Sequence, residues 1–164
     1  MDTRPLAFMP PNHNLIIRPV RLIDCETLQR RCWPQRSLTD VQQQIQRVQD
    51  TARQGRGGGV VAVPPDDTLP IAYGQLTLWR HLSEISDLIV TESRRSQGVG
   101  TAIIQYLVAQ AARTTLPVVE IGAAEDNPGA LQLYRRLGFR EARQLELDLG
   151  QGPQTIIYLE LRLR

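Results

Sequence analysis

Apolar residues along this 164-residue chain fall into short bounded groups whose period changes from one group to the next. Positions 14–20 form a short apolar run suited to a first strand. With Asp24 read as an N-cap, Cys25, Leu28 and Cys32 recur at helical spacing as buried core, until Trp33-Pro34 stops the helix. Ser37-Leu-Thr-Asp40 has the form of a capping box and opens a second helix, with Leu38, Val41, Ile45 and Val48 facing inward.

Positions 55–59 are glycine-rich and read as a flexible turn before a strand at 60–63. A hairpin connection at 64–67 leads to a longer strand at 71–79, and another strand covers 84–90. A long helix spans about 98–113, with Ile103, Ile104, Leu107, Val108, Ala111 and Ala112 as its buried stripe. A strand at 118–123 follows, and Asn127-Pro128 opens a helix that Gly138 ends. Alternating segments at 139–149 and 155–163 close the chain as a hairpin. The order βααβββαβαββ predicts an α/β fold in which a mixed sheet carries helices on both faces. A loose arm is expected at 1–13 and a single domain at 14–164.

Hydrophobic residues at 41% and charged residues at 22% describe globular material. The net charge of +2 gives no case for nucleic acid, and no apolar run is longer than Val60–Val63, so no membrane span is expected. The expected location is the cytoplasm. All 19 basic residues are arginine. Neither the two cysteines nor the two histidines stand in a ligand spacing, so no metal is expected.

Chemistry concentrates where the strand at 84–90 runs into Arg94-Arg-Ser-Gln-Gly-Val-Gly-Thr101 and a helix begins. The first amides of a helix lack internal partners and sit at the positive end of its dipole, so they attract an anion. Gly98 and Gly100 leave room for a pyrophosphate, and Arg94 and Arg95 add positive charge. No lysine follows as a P-loop requires, and position 103, where a dinucleotide fingerprint needs a third glycine, is Ile103. A glycine-bearing turn with no ligand is the plainer reading of the same residues.

Arg95-x-x-Gly98-x-Gly100 after Leu88-Ile-Val90 resembles the acyl-coenzyme A loop of the GCN5-related N-acetyltransferase (GNAT) family. Asn127-Pro-Gly-Ala130 with Leu133-Tyr-Arg-Arg-Leu-Gly-Phe139 resembles that family's second signature, in the right order. The resemblance implies the acyl-CoA N-acyltransferase fold, a mostly antiparallel sheet with a splayed parallel strand pair. It implies acetyl-CoA as cosubstrate and an enzyme that acetylates a primary amine by direct attack in a ternary complex. The amides of Arg95, Ser96, Gln97, Gly98, Val99, Gly100 and Thr101 would hold the pyrophosphate. The edge at Leu88, Ile89 and Val90 would pair with the pantetheine arm, and a main-chain N–H near Val90 would polarise the acetyl carbonyl.

By the same resemblance Asn127 would approach the coenzyme, although a helix cap alone also fits its position. Tyr134 would protonate the leaving thiolate, or else simply pack against the sheet. Glu84 falls where a glutamate base stands in histone-type members, with Glu120 in reserve and a solvated strand-end residue as the plainer reading. Strand alternation sends Asp87 to the other face from Glu84, and Ser86 is no strong base. Arg30, Arg31, Trp33 and Arg36, with the loop at 150–154, are candidates for reading a carboxylate or phosphate on a small-molecule or peptide acceptor. A non-catalytic CoA-binding module and an N-acyltransferase for longer acyl groups remain the alternatives. A homodimer through edge strands is compatible with such a sheet.

Overall fold

The structure, a computed structural model, describes residues 14–148 and 150–164, so the expected arm at 1–13 and Leu149 lie outside the described residues. The elements are β1 (Ile16–Pro19), α1 (Cys25–Arg31), α2 (Leu38–Arg53), β2 (Gly57–Val63), β3 (Ala72–Leu78) and β4 (Ser83–Val90). They continue with α3 (Val99–Ala112), β5 (Val118–Ala124), α4 (Pro128–Arg136), β6 (Arg140–Asp148) and β7 (Pro153–Arg162). Seven strands form one sheet in the order β1-β2-β3-β4-β5-β7-β6. Every adjacent pair is antiparallel except β4–β5, which is parallel.

Alternation along β2 explains why both faces of the sheet are covered. Val61 and Val63, with Tyr73, pack on one face against Leu28 of α1 and Val41, Ile45 and Val48 of α2. Val60 and Ala62, with Leu76, Ile85, Val119 and Ile121, pack on the other against Ile103, Ile104 and Leu107 of α3 and Leu131 of α4. Each such aliphatic side chain contributes about 1.5–3 kcal/mol on burial, so both helical layers are firmly docked. The α1/α2 layer sits on the front face of the sheet, over β2 and β3, and leaves the β4–β5 part of that face less covered.

Four local expectations are corrected. Asp24 stands at the N-cap position of α1 as expected but makes no side-chain cap there: its carboxylate accepts from the Arg21 N–H at 2.8 Å and from both Nη atoms of Arg18 at 2.8 Å. Leu38 is exposed because it sits in the first turn of α2, ahead of the packed stripe. Gly57–Gly59 belong to β2 rather than to a turn. A Cβ on Gly57 would come within 2.0 Å of the Leu76 carbonyl oxygen, and one on Gly59 within 2.7 Å of the Tyr73 hydroxyl, so glycine permits the close strand approach.

The fourth concerns Asp87. The β3–β4 ladder shifts register between Tyr73↔Ile89 and Gln75↔Ser86, and Asp87 takes a left-handed φ of 54° at the bulge. The extra residue turns Asp87 to the front, where it shares a cavity with Arg36 and residues of α2. Leu88 is thereby sent back to pack with the α3 cluster. Asp87 and Glu84 therefore share one face.

Candidate active site

The parallel pairing of β4 and β5 covers only Ser83↔Val119, Glu84↔Glu120 and Ile85↔Ile121. Beyond Ile85 the strands part, so Ser86–Val90 keeps β3 on one side and has no strand on the other among the described residues. Unpaired strand edge is an invitation to another extended chain, and it runs directly toward the start of α3. Leu88, Ile89 and Val90 are all partly buried along this edge.

The turn from β4 into α3 is built by two left-handed residues, Ser96 at φ 60° and Gly98 at φ 81°. Gly98 is the N-cap of α3 and offers no side-chain cap to the amides of the first turn. A Cβ at Gly100 would meet Val90 Cγ2 at an ordinary 3.8 Å, so the structure tolerates rather than requires glycine there. Gln97 donates to the Ser93 carbonyl at 3.3 Å, which helps shape the loop. The two arginines behave differently from a simple pair of cations at the cradle. Arg94 is ion-paired with Asp66 at 2.9 Å, and Arg95 Nε donates to the Val90 carbonyl at 3.2 Å.

On the front face Glu84 and Glu120 stand side by side. Glu120 is 2% exposed, and Arg143 donates to both its oxygens, through Nη2 at 2.8 Å and Nε at 3.3 Å. Arg143 in turn lies 4.1 Å over the Tyr158 ring. Glu84 has no ion pair among the described residues. Burial raises its carboxyl above the ordinary range, opposed by the Trp79 side chain; Glu120 and Asp87 push it further up, and Arg143 down. Burial also raises Asp87, against the pull of Arg36.

On the other side of the sheet, Asn127 caps α4 by accepting from the Ala130 N–H at 3.2 Å, with Pro128 opening the helix. That cap aims α4 so that Tyr134 enters the core cluster, 6.3 Å from the Phe139 ring. The Tyr134 phenol is 6% exposed and burial pushes it up to about 12, so it stays protonated at neutral pH. Both cysteines are buried in the α1/α2 layer away from this region, with the Cys32 thiol pushed up to about 11.

Residues 22–139 match the Acetyltransferase (GNAT) family. The chain belongs to this family. It is 37% identical over 70 residues, 42% of this chain and 41% of the relative, to the S-(2-succino)cysteine N-acetyltransferase of Bacillus subtilis. It is 36% identical over 62 residues, 38% of this chain and 27% of the relative, to an uncharacterized N-acetyltransferase of Methanocaldococcus jannaschii. The chain thus spans well under half the length of each of these curated relatives. A putative acetyltransferase from Salmonella typhimurium, solved with its cofactor acetyl-CoA, has the same fold: TM-score 0.72, 17% identity, covering 92% of this chain and 95% of that one.

In this GNAT chain the helices on both faces are as the sequence pattern predicted, and the splayed parallel pair is as the resemblance implied. Two features were missed. Arg143, the partner of Glu120, lies on an alternating strand where it looks like any solvated charge. Arg47 lies on α2 among glutamines, yet it lines the cavity that holds Asp87 and Arg36. Of the arginines singled out near α1, Arg30 is ion-paired to Glu26 and Arg31 to Asp67, leaving Arg36 in that cavity.

Proposed function

We propose that the protein is an acetyl-CoA-dependent N-acetyltransferase that moves the acetyl group directly to a primary amine in a ternary complex. The observation that carries this reading is the parting of β4 from β5 beyond Ile85, with the bare N-terminus of α3 at the end of the opened edge. An extended thioester arm fits that edge, and a pyrophosphate fits amides that no side chain caps. The residues taken to hold the coenzyme are Leu88 to Val90, the amides of Arg95 to Thr101, and Asn127. Bound there, acetyl-CoA supplies an acyl group activated as a thioester.

Glu84 takes the proton that the acceptor ammonium must lose. Its carboxyl is held above the ordinary glutamate range, and it makes no ion pair among the described residues, whereas both oxygens of Glu120 are occupied by Arg143. A main-chain N–H near Val90 polarises the acetyl carbonyl. As the new N–C bond forms and the C–S bond breaks, Tyr134 gives its proton to the departing sulfur, and the proton the acylated nitrogen then sheds replaces it through solvent. No covalent enzyme intermediate is needed, in keeping with two buried thiols.

Calorimetric titration with acetyl-CoA and with free coenzyme A tests the cradle, and thiol release in the presence of amines tests transfer. Binding of both coenzyme forms with amine-dependent thiol release is expected. A folded protein that binds neither overturns the reading, and one that binds both but transfers to no amine is a CoA-binding module.

A further inference from the structure

The front face holds one cluster that acetyl transfer leaves unexplained. A cavity of about 390 Å³ lies between α2 and the β3–β4 bulge, lined by Arg36, Gln44, Arg47, Thr51, Gln75 and Asp87. It is of the size that takes a small molecule. A second cavity, about 510 Å³ around the glycine edge of β2, has several aliphatic walls and no acidic side chain.

The cations of this cavity are uncommitted. Arg30, Arg31 and Arg94 each have a carboxylate partner, but Arg36 and Arg47 have no ion pair among the described residues. Arg36 is held instead by neutral groups: its Nη1 donates to Gln44 Oε1, and its guanidinium lies 5.1 Å over the Trp33 ring. That posture fixes the planar fork while leaving donors on it unused. Gln44 Nε2 is buried and makes no well-formed hydrogen bond, with the Tyr73 hydroxyl close to it. Across the cavity stands Asp87, presented by the left-handed bulge, and it too lacks an ion pair among the described residues.

Two guanidinium groups and one carboxylate leave the cavity with a formal charge of +1. We propose that it receives the acceptor, and that the acceptor is a small amino carboxylate. Its carboxylate lies between Arg36 and Arg47, and its ammonium faces Asp87 before transfer. A phosphate would bring two negative charges against Asp87, and a polyamine would set a second ammonium against two arginines. A single carboxylate paired with an amine matches the charges present. The inference rests on the acetyl-transfer reading above.

The test compares initial rates of thiol release from acetyl-CoA with matched acceptors, a panel of L-amino acids and the carboxamide of each. The free acids are expected to exceed their carboxamides at least tenfold in kcat/KM. Arg47→Gln, at an exposed position on α2, should raise the KM of the acid about tenfold or more, leave that of acetyl-CoA unmoved, and shrink the acid preference; Arg36→Gln should do the same. Calorimetry of the same amino acids into protein saturated with free coenzyme A reads the pocket without turnover. Transfer that favours carboxamides, diamines or a peptide amine equally overturns the amino-carboxylate assignment and leaves acetyl transfer standing. Arginine-dependent binding of the acids with no transfer to any amine supports the pocket and overturns the transfer reading. Acids that neither bind nor react overturn the pocket.

Discussion

Glu84 and Glu120 are paired residues of the parallel β4–β5 ladder, yet Arg143 binds Glu120 and leaves Glu84 without a counterion. One carboxylate is therefore held by a guanidinium, and its proximity helps raise the other above the ordinary glutamate range.

Replacing Glu84 with glutamine is expected to lower kcat by about 10²–10³ at neutral pH, with the affinity for acetyl-CoA unchanged. Because the folded carboxyl titrates above the ordinary glutamate range, the acidic limb of the wild-type rate should also lie above that range. A carboxyl with a raised folded pKa holds its proton more tightly than in the unfolded chain, so its ionisation destabilises the fold as pH rises through that window. The variant should accordingly melt no lower than wild type at pH 7. A pH–rate profile that keeps its acidic limb in the variant excludes Glu84 as the base.

Arg143→Gln leaves a nearly fully buried Glu120 carboxylate without its partner. Arg143 is itself about half exposed, so a loss of about 2 kcal/mol is expected, below the cost of breaking a wholly buried pair. Adding Glu120→Gln should restore much of the melting temperature. Failure of the double variant to recover shows that Arg143 acts through Tyr158 packing instead.

The sequence disclosed the parts that backbone needs dictate. Gly98 at a left-handed N-cap, Asn127 as a side-chain cap and Gly138 with φ 95° leave a residue-type imprint wherever they occur. The bulge at Asp87 leaves almost none, because aspartate tolerates left-handed backbone without requiring it. One inserted residue inverts the facing of everything after it, so simple alternation sent Asp87 the wrong way. Arg47 escaped notice for a different reason. On a polar helix face, a residue over a cavity and one in open solvent have the same spacing, and only the neighbouring strands decide between them.

Gly98 separates coenzyme binding from folding. Valine at φ 81° is strained by at least about 1–2 kcal/mol, while asparagine tolerates that conformation much better. Gly98→Val should thus lower both the melting temperature and the affinity for coenzyme A. Gly98→Asn should melt close to wild type yet bind coenzyme A more weakly, since a side chain at the N-cap competes with an anion for the first amides of α3. Unchanged affinity by calorimetry in the asparagine variant moves the pyrophosphate away from this turn.

Tyr134→Phe removes a proton donor while keeping the ring against Phe139. A drop in kcat of about 10²-fold is expected, with acetyl-CoA binding intact, because thiol departure loses its acid but the cradle is untouched. The phenol is pushed up to about 12, so between pH 7 and about 10 wild-type turnover should show no loss from ionisation of this group. A falling alkaline limb in that interval must then come from another residue. If the variant keeps full kcat and a stability near wild type, Tyr134 is a packing residue of the α4 cluster, and the leaving thiolate departs without its help.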